Sequence, residues 1–194
     1  CVHCRATAQP RRHPLELKDA EGFSLLDDLA SFKSPPIVIL TGGDPFMRRD
    51  IFELLAYGME LGLRMSLSPS VTSLVTREAL MKIQSMGISR LSFSLDGATD
   101  RVHDDFRGVE GSFDRTMRRV ADALDVGLSL QINTTVSRQN QEDLPRIAEL
   151  LSNSPRVELW DLFFLVPIGR GQGNDVISPE DHEGVYRWIY SLGS

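Results

Sequence analysis

Ile37-Val38-Ile39-Leu40-Thr41-Gly42-Gly43-Asp44-Pro45 decides how this chain folds. Four aliphatic residues, bounded by turn formers, predict a short strand buried on at least one face. Gly42 and Gly43 end it with a turn that lets a ligand approach the backbone, and Pro45 fixes the exit. Beyond it, Asp50 with Glu53 three positions on predicts a capping box. Leu54, Leu55 and Leu61 carry that helix to a stop near Gly62. Strand, glycine turn and helix in this order make a unit whose ligands gather at the strand's C-terminal end.

The unit recurs outward in both directions. Further strand-like runs are Leu63 to Leu67, Arg90 to Leu95, Leu128 to Val136 and Val157 to Val166. The intervening segments have helical spacing. Leu80, Ile83 and Met86 stop at Gly87; a helix from about Ser112 carries Phe113, Met117, Val120 and Leu124 to Gly127. Another follows Asn140, tolerates Pro145 in its first turn and presents Leu144, Ile147 and Leu151. A helix around Glu21 to Phe32 precedes the first strand, and Pro179 to Leu192 reads as the last. Alternation of this kind predicts an α/β fold of parallel strands with right-handed helical crossovers, curling into a partial TIM-like (β/α)6 barrel. A doubly wound open sheet is the alternative. The early helix places a first strand upstream of residue 1, outside this sequence, so residues 1–194 read as one barrel domain trimmed at its N-terminus, without an accessory domain at its C-terminus.

Composition narrows the function. With 41% apolar and 25% charged residues the chain suits a globular domain. No apolar run approaches the roughly 20 residues a bilayer span needs, and no secretory signal opens the chain, which predicts a cytoplasmic protein without a membrane partner. A formal net charge of -6 argues against nucleic acid as a partner. The two cysteines, Cys1 and Cys4, are too few and too close to staple a chain of this length. Thiols at this spacing bind zinc, ligate iron-sulfur clusters or act as redox dithiols. His3 and His13 could complete a zinc set.

Polar residues collect at successive strand ends: Ser66 and Ser68; Ser92, Ser94 and Asp96; Gln131, Asn133 and Thr135. Alternation puts Ser94 and Asp96 on one face, with Phe93 and Leu95 on the other. Such a polar row inside a barrel is costly unless a ligand or water satisfies it. His103-Asp104-Asp105-Phe106-Arg107-Gly108 and Leu165-Val166-Pro167-Ile168-Gly169-Arg170-Gly171 complete the series.

In this order the motifs resemble the radical S-adenosylmethionine superfamily, whose loop Cys-x3-Cys-x-aromatic-Cys precedes a Gly-Gly-Glu-Pro-like stretch on the second strand. Cys1-Val2-His3-Cys4 match that loop's last two thiols, with His3 at the aromatic place and the first thiol falling upstream of residue 1. The resemblance implies a 4Fe-4S cluster held by Cys1 and Cys4 among its ligands. It also implies that Gly42, Gly43, Asp44 and Pro45 hold the amino group of the methionine moiety, Asp44 being one methylene shorter than the commoner Glu. Arg107 matches a position that holds the cofactor carboxylate and Asn133 one that bonds the ribose. Val166 and Ile168 lie in the adenine-contacting stretch, and His3, Ser68, Ser94 and Asp96 line the same ligand.

By the same resemblance the protein is an oxidoreductase. Its reduced cluster cleaves S-adenosylmethionine to a 5'-deoxyadenosyl radical, which abstracts hydrogen from a peptide or tetrapyrrole-type substrate, with flavodoxin or ferredoxin as reductant. The extent of the likeness is nearest to members with C-terminal SPASM-type domains, the peptide maturases and heme-pathway enzymes. As a fragment lacking one thiolate it would be inactive alone. Two rival readings remain from the residues themselves. One is a metal-free barrel lyase or isomerase with Asp96 or Asp161 as acid-base group; the other is a non-catalytic zinc-binding protein.

Overall fold

A computed structural model describes residues 2–9, 13–154 and 156–193, apart from the side chain of residue 174. The order of elements is α1 (Asp19–Ala30), β1 (Ile37–Leu40), α2 (Ile51–Glu60), β2 (Arg64–Leu67), α3 (Arg77–Met86), β3 (Arg90–Ser94), α4 (Asp100–Arg107), α5 (Ser112–Asp125), β4 (Leu130–Val136), α6 (Leu144–Ser152), β5 (Val157–Phe164) and α7 (Pro179–Leu192).

The five strands are parallel and lie in the order β1-β2-β3-β4-β5. Because the order never reverses, right-handed crossovers return every helix to the same face. A doubly wound sheet needs a reversal, so that alternative falls and the partial-barrel expectation stands.

Register fixes which side chains share a face. Ile39 pairs with Ser66, Ser66 with Arg90, Ser94 with Asn133, and Asn133 with Asp161. The alternate positions, Leu40, Leu67, Leu91, Phe93, Ile132 and Trp160, point to the helices. There Met65, Leu67, Leu91, Phe93, Leu130 and Ile132 form one core with Leu54 and Leu55 of α2, Leu80 and Ile83 of α3, Val120 and Ala123 of α5, and Leu144 and Ile147 of α6. Gly58 lets α2 approach β2, since a Cβ there would collide with the Met65 side chain. Thr134, the buried polar residue on this face, donates to the Leu95 carbonyl at 2.6 Å and accepts from Trp160 Nε1 at 2.8 Å.

Two local expectations change. The Asp50 carboxylate does not cap α2; it pairs with Arg48 at 2.7 Å, because a 3-10 turn at Pro45–Met47 leads into the helix and leaves Asp50 outside extended geometry. The stretch around His103, quoted in sequence with the polar strand ends, is the helix α4, capped by the Thr99 side chain and ended by Gly108 at φ 64. No helix among the described residues is long and apolar enough to cross a membrane.

Candidate active site

Asp96 is the centre of the arrangement. It follows β3 and is 1% exposed, yet each of its polar atoms is satisfied. One carboxylate oxygen accepts from Thr135 N at 2.8 Å and the other from Arg107 Nη1 at 3.1 Å. Its carbonyl accepts from Asn140 Nδ2 at 2.9 Å, and its N–H donates to His103 Nδ1 at 3.0 Å. His103 must therefore carry its proton on Nε2. Burial holds its imidazole down at about 4, so it is neutral at ordinary pH. Asp104 does not pair with Arg107. It caps the next helix, accepting from Gly111 N at 2.6 Å, Ser112 Oγ at 2.8 Å and Phe113 N at 2.7 Å.

The cysteine loop rests on this helix. The His3 ring stacks on Phe106 at 4.2 Å between centroids, its Nδ1 lies 3.4 Å from the Phe106 carbonyl, and burial lowers its pKa with Asp96 and Arg107 close by. Cys4 is half-buried, and its sulfur accepts from Ala8 N at 3.3 Å. Burial alone would push the thiol up. The N–H groups of Ala8 and Ala6 and the Arg170 guanidinium outweigh it, so the pKa falls below the ordinary value. Cys1 lies outside the described residues.

The exit of the last strand clasps the same loop. Arg170 N donates to the Cys4 carbonyl at 3.0 Å and Arg170 Nη2 to the Ala8 carbonyl at 2.6 Å. Gly169, at φ 66, can sit there because a side chain would collide with the carbonyls of Cys4 and Arg5. Val166 and Ile168 beside it are 53% and 46% exposed, apolar groups presented outward.

Across the sheet, the turn after β1 is stiffened from β2. Ser70 Oγ donates to the Gly43 carbonyl, Thr41 Oγ1 to the Ser68 carbonyl at 3.3 Å, and Thr72 Oγ1 to Asp44 Oδ2 at 2.5 Å. The other Asp44 oxygen accepts from Phe46 N at 3.1 Å, and burial raises this carboxyl's pKa against those bonds. Pro45 is buried, and Gly42 has open space where a Cβ would stand.

On β4 and β5, Gln131 Nε2 donates to Asn133 Oδ1 at 2.7 Å and to Asp161 Oδ2 at 2.8 Å, while Arg90 Nη1 lies 3.4 Å from Gln131 Oε1. Ser94, half-buried, is level with Asn133.

These positions thus fall into three groups on one edge and face of the sheet: His3, Cys4, Asp96 and Arg107; Gly42 to Pro45 with Ser68; and Ser94 with Asn133. The rival readings fit less well. The Asp96 carboxylate is locked by one backbone donor and one salt bridge, which leaves it unsuited to proton transfer. His13 Nδ1 accepts from Leu15 N at 3.1 Å, which occupies one of the two ring nitrogens a zinc ion could use. Two open clefts, of 620 Å³ around His13 and Lys18 and 310 Å³ between α6 and α7, contain none of the polar-face residues.

Sequence reasoning quoted the stretches that hold His103 and Arg170 without giving either residue a role at the site, and it missed the Gln131–Asp161 bridge. His103 stands four residues before Arg107, one helical turn, which would have put both on one helix side. Arg170 has no such signal, because its contact spans most of the chain.

Comparison with known proteins places the chain in a family. The model of the radical SAM superfamily matches residues 1–151. An "AdoMet-dependent heme synthase" of Methanosarcina barkeri is 40% identical over 99% of this chain and 54% of its own length. One of Oleidesulfovibrio alaskensis is 42% identical over 99% of this chain and 49% of its own length. The "Pre-heme d1 synthase" of Dinoroseobacter shibae is 30% identical over 90% of this chain and 42% of its own. The chain spans about half the length of the curated relatives it matches. Among solved structures, anSMEcpe with bound AdoMet superposes with a TM-score of 0.77 over 99% of this chain and 56% of that one, at 13% identity. Streptococcus suis SuiB bound to the precursor peptide SuiA gives 0.78 over 100% and 44%, at 17% identity. Those two likenesses speak for the fold.

Proposed function

The chain belongs to the radical SAM superfamily, and from that premise we propose that it is the catalytic barrel of an enzyme that takes hydrogen from a side chain of an iron porphyrin. The observation that carries the porphyrin is the 40% and 42% identity, over 99% of this chain, to proteins named as heme synthases. The peptide alternative rests on a structural neighbour at 17% identity, a likeness that speaks for the fold alone.

The cofactors are those of the family, S-adenosylmethionine and a 4Fe-4S cluster. The residues fit them: Cys4 has a lowered pKa and a half-buried sulfur, and the buried Arg170 Nε beside its loop has no hydrogen-bond partner among the described residues. Bound there, they would supply one-electron chemistry: reductive cleavage of S-adenosylmethionine to methionine and 5'-deoxyadenosine, the latter taking up one substrate hydrogen atom, with the substrate's remaining unpaired electron passing to a one-electron acceptor.

The chain's own residues hold and orient. Cys4, with Cys1, ligates iron. The backbone of Gly42 to Pro45 receives the amino group, with Ser68 beside it, and His3 shields the thiolates by stacking on Phe106. Arg107, tethered by Asp96, keeps a positive charge where the cofactor carboxylate lies. Asn133 and Ser94 meet the ribose, and the exposed Val166 and Ile168 cover the adenine. As an oxidoreductase it draws electrons from a small carrier such as flavodoxin or ferredoxin, in the cytoplasm, where thiols stay reduced. The net charge of -6 sets nucleic acid aside as substrate.

The test is the full-length gene product, reconstituted anaerobically with iron and sulfide and then reduced. Given S-adenosylmethionine and an iron porphyrin with propionate side chains, it should form 5'-deoxyadenosine and a porphyrin of lower mass; Cys4→Ala should form neither. Product from a peptide but not from the porphyrin would overturn the substrate.

A further inference from the structure

The cofactor-side groups occupy the C-terminal ends of the strands, but the same face of the sheet continues to the other end, and nothing in the cofactor reading uses it. There the polar face carries two arginines. Arg90 opens β3 and points to this face, as its 3.4 Å approach to Gln131 Oε1 shows. Arg64 opens β2, two residues before Ser66, the register partner of Arg90, so it stands on the same face. Among the described residues neither has a carboxylate partner. Arg90 is half-buried, and its one hydrogen bond is long and to a neutral amide. A partly desolvated guanidinium with five donors and so little to bond is poised for an anion.

The flanking surface is apolar. Ile37, the register partner of Arg64, and Ile39 beyond it are 51% and 57% exposed on this face, and Phe163 on β5, on the opposite flank, is 52% exposed. Aliphatic and aromatic side chains thus border the polar face while two unpaired cations mark its far end. Such a surface matches a flat apolar molecule with carboxylates on one edge. From Arg90 to Ser94 is four strand residues, about 13 Å at roughly 3.3 Å each. That is comparable to the breadth of a porphyrin with its side chains, so a substrate anchored at Arg90 can present its opposite edge beside the cofactor.

We propose that Arg90 and Arg64 bind the carboxylate side chains of the substrate, with Ile37, Ile39 and Phe163 flanking its ring system. The inference rests on the porphyrin reading above and adds the residues that select an acidic substrate and set its orientation.

The experiment uses full-length reconstituted enzyme and two probes, an iron porphyrin bearing free propionates and its methyl ester, titrated by the shift of the porphyrin's visible absorption. Wild type should bind the acid more tightly than the ester, and salt should weaken the acid alone. Arg90→Gln should weaken the acid roughly tenfold to a hundredfold, with Arg64→Gln adding to it and Arg90→Lys recovering part. Ester binding and S-adenosylmethionine affinity should stay as in wild type. If Arg90→Gln binds the acid as wild type does, or loses cofactor affinity along with both porphyrins, the arginine merely supports Gln131 and the proposal fails alone. If wild type binds neither porphyrin while still cleaving S-adenosylmethionine, the substrate reading fails and takes this proposal with it. Unchanged cluster absorbance and far-ultraviolet dichroism exclude misfolding as the cause.

Discussion

The two faces of the sheet are built from the same strands on opposite terms. The helix-facing side buries Phe93, Leu95, Leu130 and Ile132 completely and meets its few polar needs internally. The other side carries Ser94, Asp96, Gln131, Asn133, Arg90 and Asp161, alternating with those same residues. Parallel sheets are ordinarily apolar on both faces because helices cover both. Here helices return to one face only, so the other is free to be polar, and its polarity is organised into bonded groups. Apolar packing and polar groups thus fall on alternate residues, which makes the two separable by substitution.

The largest effect should come from the packed face. Phe93→Ala empties a fully buried ring site between β2 and β4 and should lower unfolding free energy by about 3–5 kcal/mol. A urea titration would measure it. A loss below about 1 kcal/mol would mean that this face is not the source of stability.

Next comes the junction where the polar face is tied to α4. His103 accepts from Asp96 N, and burial holds its imidazole down at about 4 against 6.5 for the free group. Below pH 6.5 the unfolded chain takes up a proton that the native protein refuses until about pH 4. Stability is therefore complete above about pH 6.5 and is lost as pH falls towards 4, by about 3 kcal/mol in all. In His103→Gln, whose amide oxygen can still accept from Asp96 N, that acid limb should flatten. An unchanged slope between pH 6.5 and 4 would show that other groups set it.

The same division explains what could be read in advance. Strands and crossover helices were legible because burial on one side leaves a clear apolar period, as in Leu91-Phe93-Leu95 against Ser92-Ser94-Asp96. The helix α4 was not, since its eight residues bury only His103 and Phe106 and its signal is one of position. Asp50 has the spacing of a cap but lost its carboxylate to Arg48 through a turn that pattern does not encode. Cys4, Gly42 to Pro45 and Asn133 were singled out as candidates by their motifs. Arg170 and the Gln131–Asp161 bridge are products of strand pairing and loop closure, long-range geometry with no local mark.

The smallest effect on stability, and the sharpest division between the faces, is expected at Gln131. Gln131 Nε2 donates to Asp161 Oδ2 at 2.8 Å, and a carboxylate oxygen calls for a donor, so Asp161 fixes which end of the Gln131 amide faces it. The same nitrogen also donates to Asn133 Oδ1, which turns the Asn133 amide nitrogen away as a donor with no acceptor among the described residues. An acceptor such as a ribose oxygen is what that donor suits. Gln131→Leu keeps the volume and removes the orientation, so unfolding free energy should change by no more than about 1 kcal/mol, while S-adenosylmethionine binding weakens several-fold. Gln131→Glu, placing like charge against Asp161, should weaken binding further and should recover in Asp161→Asn. Were Gln131→Leu to unfold the protein as readily as Phe93→Ala does, the polar face would be structural in its own right. If both stability and affinity were untouched, Asn133 would be oriented by its strand alone.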